Sequence, residues 1–189
     1  MEAILQSFGL VLAAEMGDKT QLLALVLTLR FKRPLVIMAG ILVATLLNHG
    51  LATLVGEWIG SQFSAETLRM GLSTLFFGFA LWLLVPDKLD DDDGAAKHNS
   101  SSAFLTTLVL FFLAEIGDKT QLATLVLGAK FQSSLNVTIG TTLGMLVADG
   151  LAVMFGERLT QIVPMKAIRF FSAFLFALFG AGILLKWHL

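Results

Sequence analysis

The hexamer Glu-[Met/Ile]-Gly-Asp-Lys-Thr occurs twice, at Glu15–Thr20 and Glu115–Thr120, each time in the middle of a segment otherwise apolar enough to cross a membrane. Translocon-type scales assign about 2.5–3.5 kcal/mol to each Asp, Lys or Arg at the centre of a spanning helix. Left against lipid, Glu15, Asp18, Lys19, Glu115, Asp118 and Lys119 would together cost on the order of 15–20 kcal/mol, more than a typical net stability. These groups must therefore face one another, water or a bound cation, and intramembrane charge marks function by default.

Composition agrees with a membrane setting. The 189 residues are 56% apolar and only 14% charged, with a mean hydropathy of +0.82, whereas soluble domains carry about 25% charged residues. A net charge of −1 offers no basic nucleic-acid surface. The absence of cysteine excludes disulfides, thiolate metal sites and thiol redox chemistry. Met1-Glu2 is no basic n-region and the first apolar segment contains an acidic motif, so a secretory signal is not expected. With no transit peptide or long tail in view, a compact bacterial protein is the expectation.

Six apolar segments can be drawn, at about 3–29, 35–57, 66–85, 104–130, 134–156 and 165–187. Each reaches the roughly 20 residues that a helix needs to cross the hydrocarbon layer, and all are too long for barrel strands. The first and fourth are long enough to tilt, protrude or break, with Gly17 and Gly117 as candidate break points. Trp58, Trp82 and Trp187 fall near segment ends, where indole rings favour the headgroup layer. The linker at 86–103 carries Asp90-Asp91-Asp92-Asp93, Gly94 and Asn99-Ser100-Ser101-Ser102, and reads as a solvated connector rather than a calcium sensor.

The halves repeat with an offset of 100 and no gap. Gln21-Leu22 matches Gln121-Leu122, Leu25-Val26-Leu27 matches Leu125-Val126-Leu127, and Phe31 and Gly40 match Phe131 and Gly140. Gly50-Leu51-Ala52, Gly56-Glu57 and Arg69 match Gly150-Leu151-Ala152, Gly156-Glu157 and Arg169. An odd number of helices per unit makes the second unit enter from the opposite side. The expected fold is thus an all-α integral membrane protein of six transmembrane helices in two inverted three-helix repeats, residues 1–85 and 104–189. Such repeats place binding sites at their interface near the midplane. Arg30, Lys32, Arg33, Lys88, Lys97, Arg158, Lys166 and Arg169 fall on one side, against Arg69, Lys130 and Lys186 on the other. The first side is therefore expected to be cytoplasmic, with the linker, and both termini extracytoplasmic.

On a continuous helix, positions i and i+3 share a face. Glu15 and Asp18 would project together with Gln21, and Glu115 and Asp118 with Gln121. The pseudo-two-fold could bring the two stripes into one cluster of four carboxylates and two amide oxygens. Oxygen-only ligands suit hard cations such as Mg²⁺, Ca²⁺ and Mn²⁺. The glycine between the acids either admits a neighbouring backbone or loosens the helix. Lys19 and Lys119 could each neutralise one carboxylate when no metal is bound, and metal binding that displaces protons is antiporter chemistry. The opposing reading, buried salt bridges that only hold the bundle together, loses force because the charges come in two symmetric copies.

Other candidates are secondary. Asp149 lies in the fifth segment opposite His49 in the repeat, and either could relay protons, or Asp149 could pair with a motif lysine and His49 could serve packing. Thr20 and Thr120 could ligate an ion or bond their own backbones. Glu57 and Glu157 read as ordinary interfacial acids, and Gly140 and Gly144 as a helix-packing pair. Phe170, Phe171, Phe174, Phe176 and Phe179 read as lipid contact and core.

Two copies of E-x-G-D-K-T in a six-segment chain split by an acidic linker resemble the Ca²⁺/Mn²⁺ cation exchangers once grouped as uncharacterised protein family 0016. Both Glu15–Thr20 and Glu115–Thr120 fit that family's E-φ-G-D-[KR]-[ST] pattern, φ being apolar, and the resemblance spans essentially the whole chain. It implies that the acids of both hexamers bind the cation and that metal is exchanged against protons. It also implies a bacterial plasma-membrane exporter, since the extra N-terminal segment of organellar members is missing. The expected protein is a secondary transporter that exports Mn²⁺, with Ca²⁺ as an alternative substrate, in exchange for protons. It needs no cofactor, is not an enzyme, and has the bilayer, metal and protons as partners, with room for a homo-oligomer. Rival readings are an acid-lined cation channel, an exporter of amino acids or other organic cations, and a membrane enzyme using paired carboxylates.

Overall fold

The computed structural model describes residues 1–85, 102–155 and 165–185. These form eight helices: α1 (Glu2–Glu15), α2 (Lys19–Phe31), α3 (Pro34–Ser61), α4 (Ala65–Leu83), α5 (Ala103–Glu115), α6 (Lys119–Phe131), α7 (Ser134–Phe155) and α8 (Met165–Leu184). Six apolar segments become eight helices because the first and the fourth each break at their hexamer, at the two glycines. Local chemistry explains several boundaries. Pro34 opens α3 at a position where a missing N–H is no loss. The Ser64 and Ser102 side chains accept from Thr67 N–H and Leu105 N–H, both at 3.3 Å, and so cap α4 and α5.

Helices pack mainly across the repeat boundary. α1 lies on α7, α5 and α6 lie on α3, α3 crosses α7, and α4 pairs with α8. Glycines make the first of these contacts backbone-close. A Cβ on Gly140 would collide with the Ile4 carbonyl, and one on Gly144 would stand 2.8 Å from the Phe8 oxygen. On the α3–α6 seam, a Cβ on Gly56 would run into the Leu125 carbonyl, and one on Gly128 would stand 2.6 Å from the Thr53 oxygen. Lys130 ties the end of α6 to α1 and α8: its amine donates to Gln6 Oε1 at 3.1 Å and sits 3.8 Å from the Phe179 ring centroid.

The α4–α8 pair is held by aromatics. Phe76 meets Phe179 edge-on at 4.8 Å and Phe176 at 5.9 Å. Phe176 and Phe179 are buried, while Phe170, Phe171 and Phe174 lie exposed with Leu29, Leu51, Leu81 and Leu113. The interior, by contrast, holds Glu15, Asp18, Glu115, Asp118, Lys119 and Asp149. Grease outside and charge inside is the arrangement lipid demands. α3, α7 and residues Lys166–Leu184 of α8 are each long and apolar enough to cross a membrane. Residues 86–101, with the acidic run, and Gly156, Glu157, Arg158, Lys186 and Trp187 lie outside the described residues.

Candidate metal centre

Each hexamer is a helix break. α1 ends at Glu15, Met16 turns extended, Gly17 takes φ +80°, and extended Asp18 starts α2. The second copy repeats this with Glu115, Ile116, Gly117 at φ +75° and Asp118. Both turns close identically, Asp18 N–H on Glu15 O at 3.1 Å and Asp118 N–H on Glu115 O at 3.2 Å. A positive φ strains any side-chain-bearing residue, so glycine fits the middle of the break.

The expectation of a continuous i, i+3 stripe is therefore corrected. Glu15, Asp18 and Gln21 share no helical face. The glutamate sits at the C-terminal end of one half-helix, the aspartate at the N-terminus of the next. The two ends differ electrostatically. A helix N-terminus favours an anion by about 0.3–1 kcal/mol, and a C-terminus disfavours one. The aspartates are thus supported by their helices and the glutamates are not.

Lysines complete this division by crossing between repeats. Lys19 Nζ stands 3.3 Å from Asp118 Oδ1, and Lys119 Nζ stands 3.1 Å from Asp18 Oδ1. Each motif's amine neutralises the other motif's aspartate, which binds the halves together. The glutamates have no such amine among the described ion pairs. Both are fully buried, and one oxygen each from Glu15, Glu115 and Asp118 lie within 4.8 Å of one another. A Ca²⁺-sized ion held at about 2.3–2.6 Å from opposed oxygens separates them by roughly twice that, so one cation can bridge this set.

Neighbouring polar groups hold the acids in place. Thr20 Oγ1 donates to Glu15 Oε2 at 2.8 Å, and Thr120 N–H donates to Asp118 Oδ2 at 3.3 Å. Gln21 and Gln121 spend their amide oxygens on the breaks, accepting from Gly17 N–H at 2.7 Å and Gly117 N–H at 2.8 Å. Their Nε2 groups reach the opposite repeat, Gln21 to the Ala148 carbonyl at 2.7 Å and Gln121 to Asn48 Oδ1 at 3.4 Å. Asp149, beside Ala148, is fully buried, and neither of its oxygens finds a hydrogen-bond partner among the described residues. No motif lysine takes it among the described ion pairs. His49 is equally buried, and neither ring nitrogen finds a partner among the described residues. Asn48 is the contact residue that the motif leaves unannounced. Its only signal in the sequence is a mismatch with Ala148 at the equivalent repeat position.

A family profile described as "Divalent cation/proton antiporter GDT1" matches residues 3–91 and 103–188. The chain belongs to the GDT1 family of divalent cation/proton antiporters. As a GDT1 member it is a membrane transporter and not an enzyme. It is similar to a Vibrio cholerae protein named "Putative manganese exporter", at 41% identity over 94% of this chain and 88% of that one. It is also similar to the rice (Oryza sativa subsp. japonica) "GDT1-like protein 3", at 27% identity over 96% of this chain and 73% of the relative. No solved structure matches the chain. The residues that this GDT1 protein brings together, buried carboxylates from two matching breaks, are chemically suited to a hard divalent cation.

Proposed function

We propose that this GDT1 protein exports Mn²⁺, with Ca²⁺ as an alternative substrate, in exchange for protons at a single site shared by both repeats. Glu15, Glu115 and Asp118 supply the central oxygens and Asp18 the fourth carboxylate. The observation that carries this is the convergence of three buried carboxylates within the reach of one ion. Gln21 and Gln121 brace the breaks, since their oxygens already serve the glycine N–H groups. The name of the Vibrio relative supports manganese and export.

Charge balance suggests the exchange. With Asp18 and Asp118 each against a lysine, Glu15 and Glu115 are left to balance a divalent cation, and two protons would balance them in its absence. A buried site that stays neutral in both loaded forms avoids a desolvation penalty of several kcal/mol per uncompensated charge. Asp149, buried on α7 beside the Ala148 carbonyl that Gln21 reaches, is the acid that would pass protons on, with His49 as its counterpart in the other half.

In this reading α1–α2 and α5–α6 each make one broken crossing, and α3, α4, α7 and α8 make the other four. Residues 1–85 and 104–189 are the inverted repeats, joined by a cytoplasmic linker at 86–103, with both termini outside a bacterial plasma membrane. Broken helices whose ends meet at a midplane site, supplied by two repeats, suit alternating access by rocking of the halves. One copy contains a complete cluster, so the reading needs no second chain and no cofactor.

Inside-out vesicles loaded with a pH dye test it. Mn²⁺ added outside should be taken up while the lumen becomes alkaline, and Glu115→Gln should abolish both signals. Mn²⁺ uptake with no proton movement would favour a channel, and uptake of organic cations that Mn²⁺ does not inhibit would favour the other exporter.

A further inference from the structure

The two repeats support their breaks by unequal means. On α7, Gln21 finds only the main-chain carbonyl of Ala148. The equivalent position on α3 is Asn48, 1% exposed, and its amide works in two directions. Nδ2 donates to the Phe112 carbonyl at 3.1 Å, and Oδ1 accepts from Gln121 Nε2 at 3.4 Å. Phe112 lies on the last turn of α5, just before Glu115, and Gln121 lies on the first turn of α6, just after Asp118. The matching carbonyl of the first repeat, Leu12 O, accepts from Met16 N–H at 3.2 Å, a bond of the helix's own last turn. So the Leu12 carbonyl stays within α1, whose last turn takes its outside bond at Ala13 from the Ser172 hydroxyl of α8, while the matching carbonyl of α5 is held by Asn48 of α3, which also reaches the far side of the break.

We propose that Asn48 is a positioning residue for cation binding, clamping both sides of the second break to α3 and so fixing Glu115 and Asp118 opposite Glu15. It acts through the α5 backbone and the Gln121 brace, not as a ligand. The proposal rests on the cluster being the cation site. It assigns the shape of the second half-site to α3 of the first repeat, so movement of α3 is felt directly at Glu115. Ala148 has no polar side chain with which to do the same for Glu15. Losing a clamp of two part-buried hydrogen bonds should show in affinity as a change of about tenfold.

The test is Mn²⁺ binding to the purified full-length chain by calorimetry, with exchange in vesicles beside it. Asn48→Ala should weaken the Mn²⁺ Kd about tenfold and raise the KM for exchange, leaving the saturated rate within about twofold. Asn48→Ser, a gentler change, should fall between Asn48→Ala and the parent, and carries the test alone if the alanine variant does not fold. Thr53→Ala is the comparison. It removes a part-buried α3–α7 hydrogen bond, to Thr138 Oγ1 at 2.7 Å, and should lower the melting temperature without moving the Kd. An unchanged Kd in the Asn48 variants, or an equal loss in Thr53→Ala, overturns the proposal. Failure of the underlying site has its own signature: Glu15→Gln would then bind Mn²⁺ as the parent does.

Discussion

Lys119 of the second motif pairs with Asp18 of the first at 3.1 Å, with both side chains almost wholly buried. The mirror pair, Lys19 with Asp118 at 3.3 Å, is wetter: the lysine side chain is 25% exposed against 7% for Lys119. Removing one partner of a buried pair strands the other charge at a cost of about 3–5 kcal/mol, whereas replacing both can be nearly neutral. Lys119→Met should therefore lower the melting temperature in detergent more than Lys19→Met. Lys119→Met combined with Asp18→Asn should recover most of that stability without recovering exchange. Equal losses from the two single variants would contradict the burial difference.

Glycine substitutions should divide by sign. A Cβ on Gly50 meets nothing within 4 Å, so Gly50→Ala should stabilise α3 by about 0.5–1 kcal/mol. Gly56→Ala would drive its methyl into the Leu125 carbonyl and force α3 and α6 apart. A loss of about 1–3 kcal/mol or more is expected there. Gly117→Ala has open space but a φ of +75°, so it should cost about 1–2 kcal/mol through strain alone. Thermal melts of the three variants check the order.

Thr20 should matter through its hydroxyl, which donates to Glu15 Oε2 at 2.8 Å. Thr20→Val keeps the shape and loses the donor, and should slow Mn²⁺ exchange roughly 3- to 10-fold. Thr20→Ser should retain most of the rate. A valine variant as active as the parent would free Glu15 from this contact.

In the proposed exchange protons and metal compete for the same carboxylates, which sets the direction of the pH dependence. Metal binding releases protons, so apparent Mn²⁺ affinity should tighten as pH rises and weaken as it falls. Calorimetric Kd values at a series of pH values measure the slope. The slope should become shallower in Glu15→Gln and in Glu115→Gln, each of which removes one proton-accepting carboxylate of the proposed site.

Much of this protein is legible in its sequence because lipid leaves few solutions for buried charge. The doubled hexamer marks the acids, the offset of 100 marks the repeat, and Gly17 and Gly117 mark the breaks. The same reading goes astray where it treats each motif as continuous helix. Once the chain turns at glycine, the i, i+3 rule no longer governs Glu15, Asp18 and Gln21, and the glutamines face the turn. Which lysine meets which aspartate depends on how α2 and α6 dock, and periodicity carries no information about that. Asn48 escapes for a related reason. Its partners, the Phe112 carbonyl and Gln121, lie more than sixty residues away and belong to the other repeat.

The central claim is that one cation is shared by two mirrored carboxylate sets. An anomalous difference map from crystals grown with Mn²⁺, collected at the manganese edge, tests it most directly. One peak within coordination distance of Glu15, Glu115 and Asp118 together is the expected result. Two separate peaks, one per repeat, or a single peak away from these three side chains would contradict it.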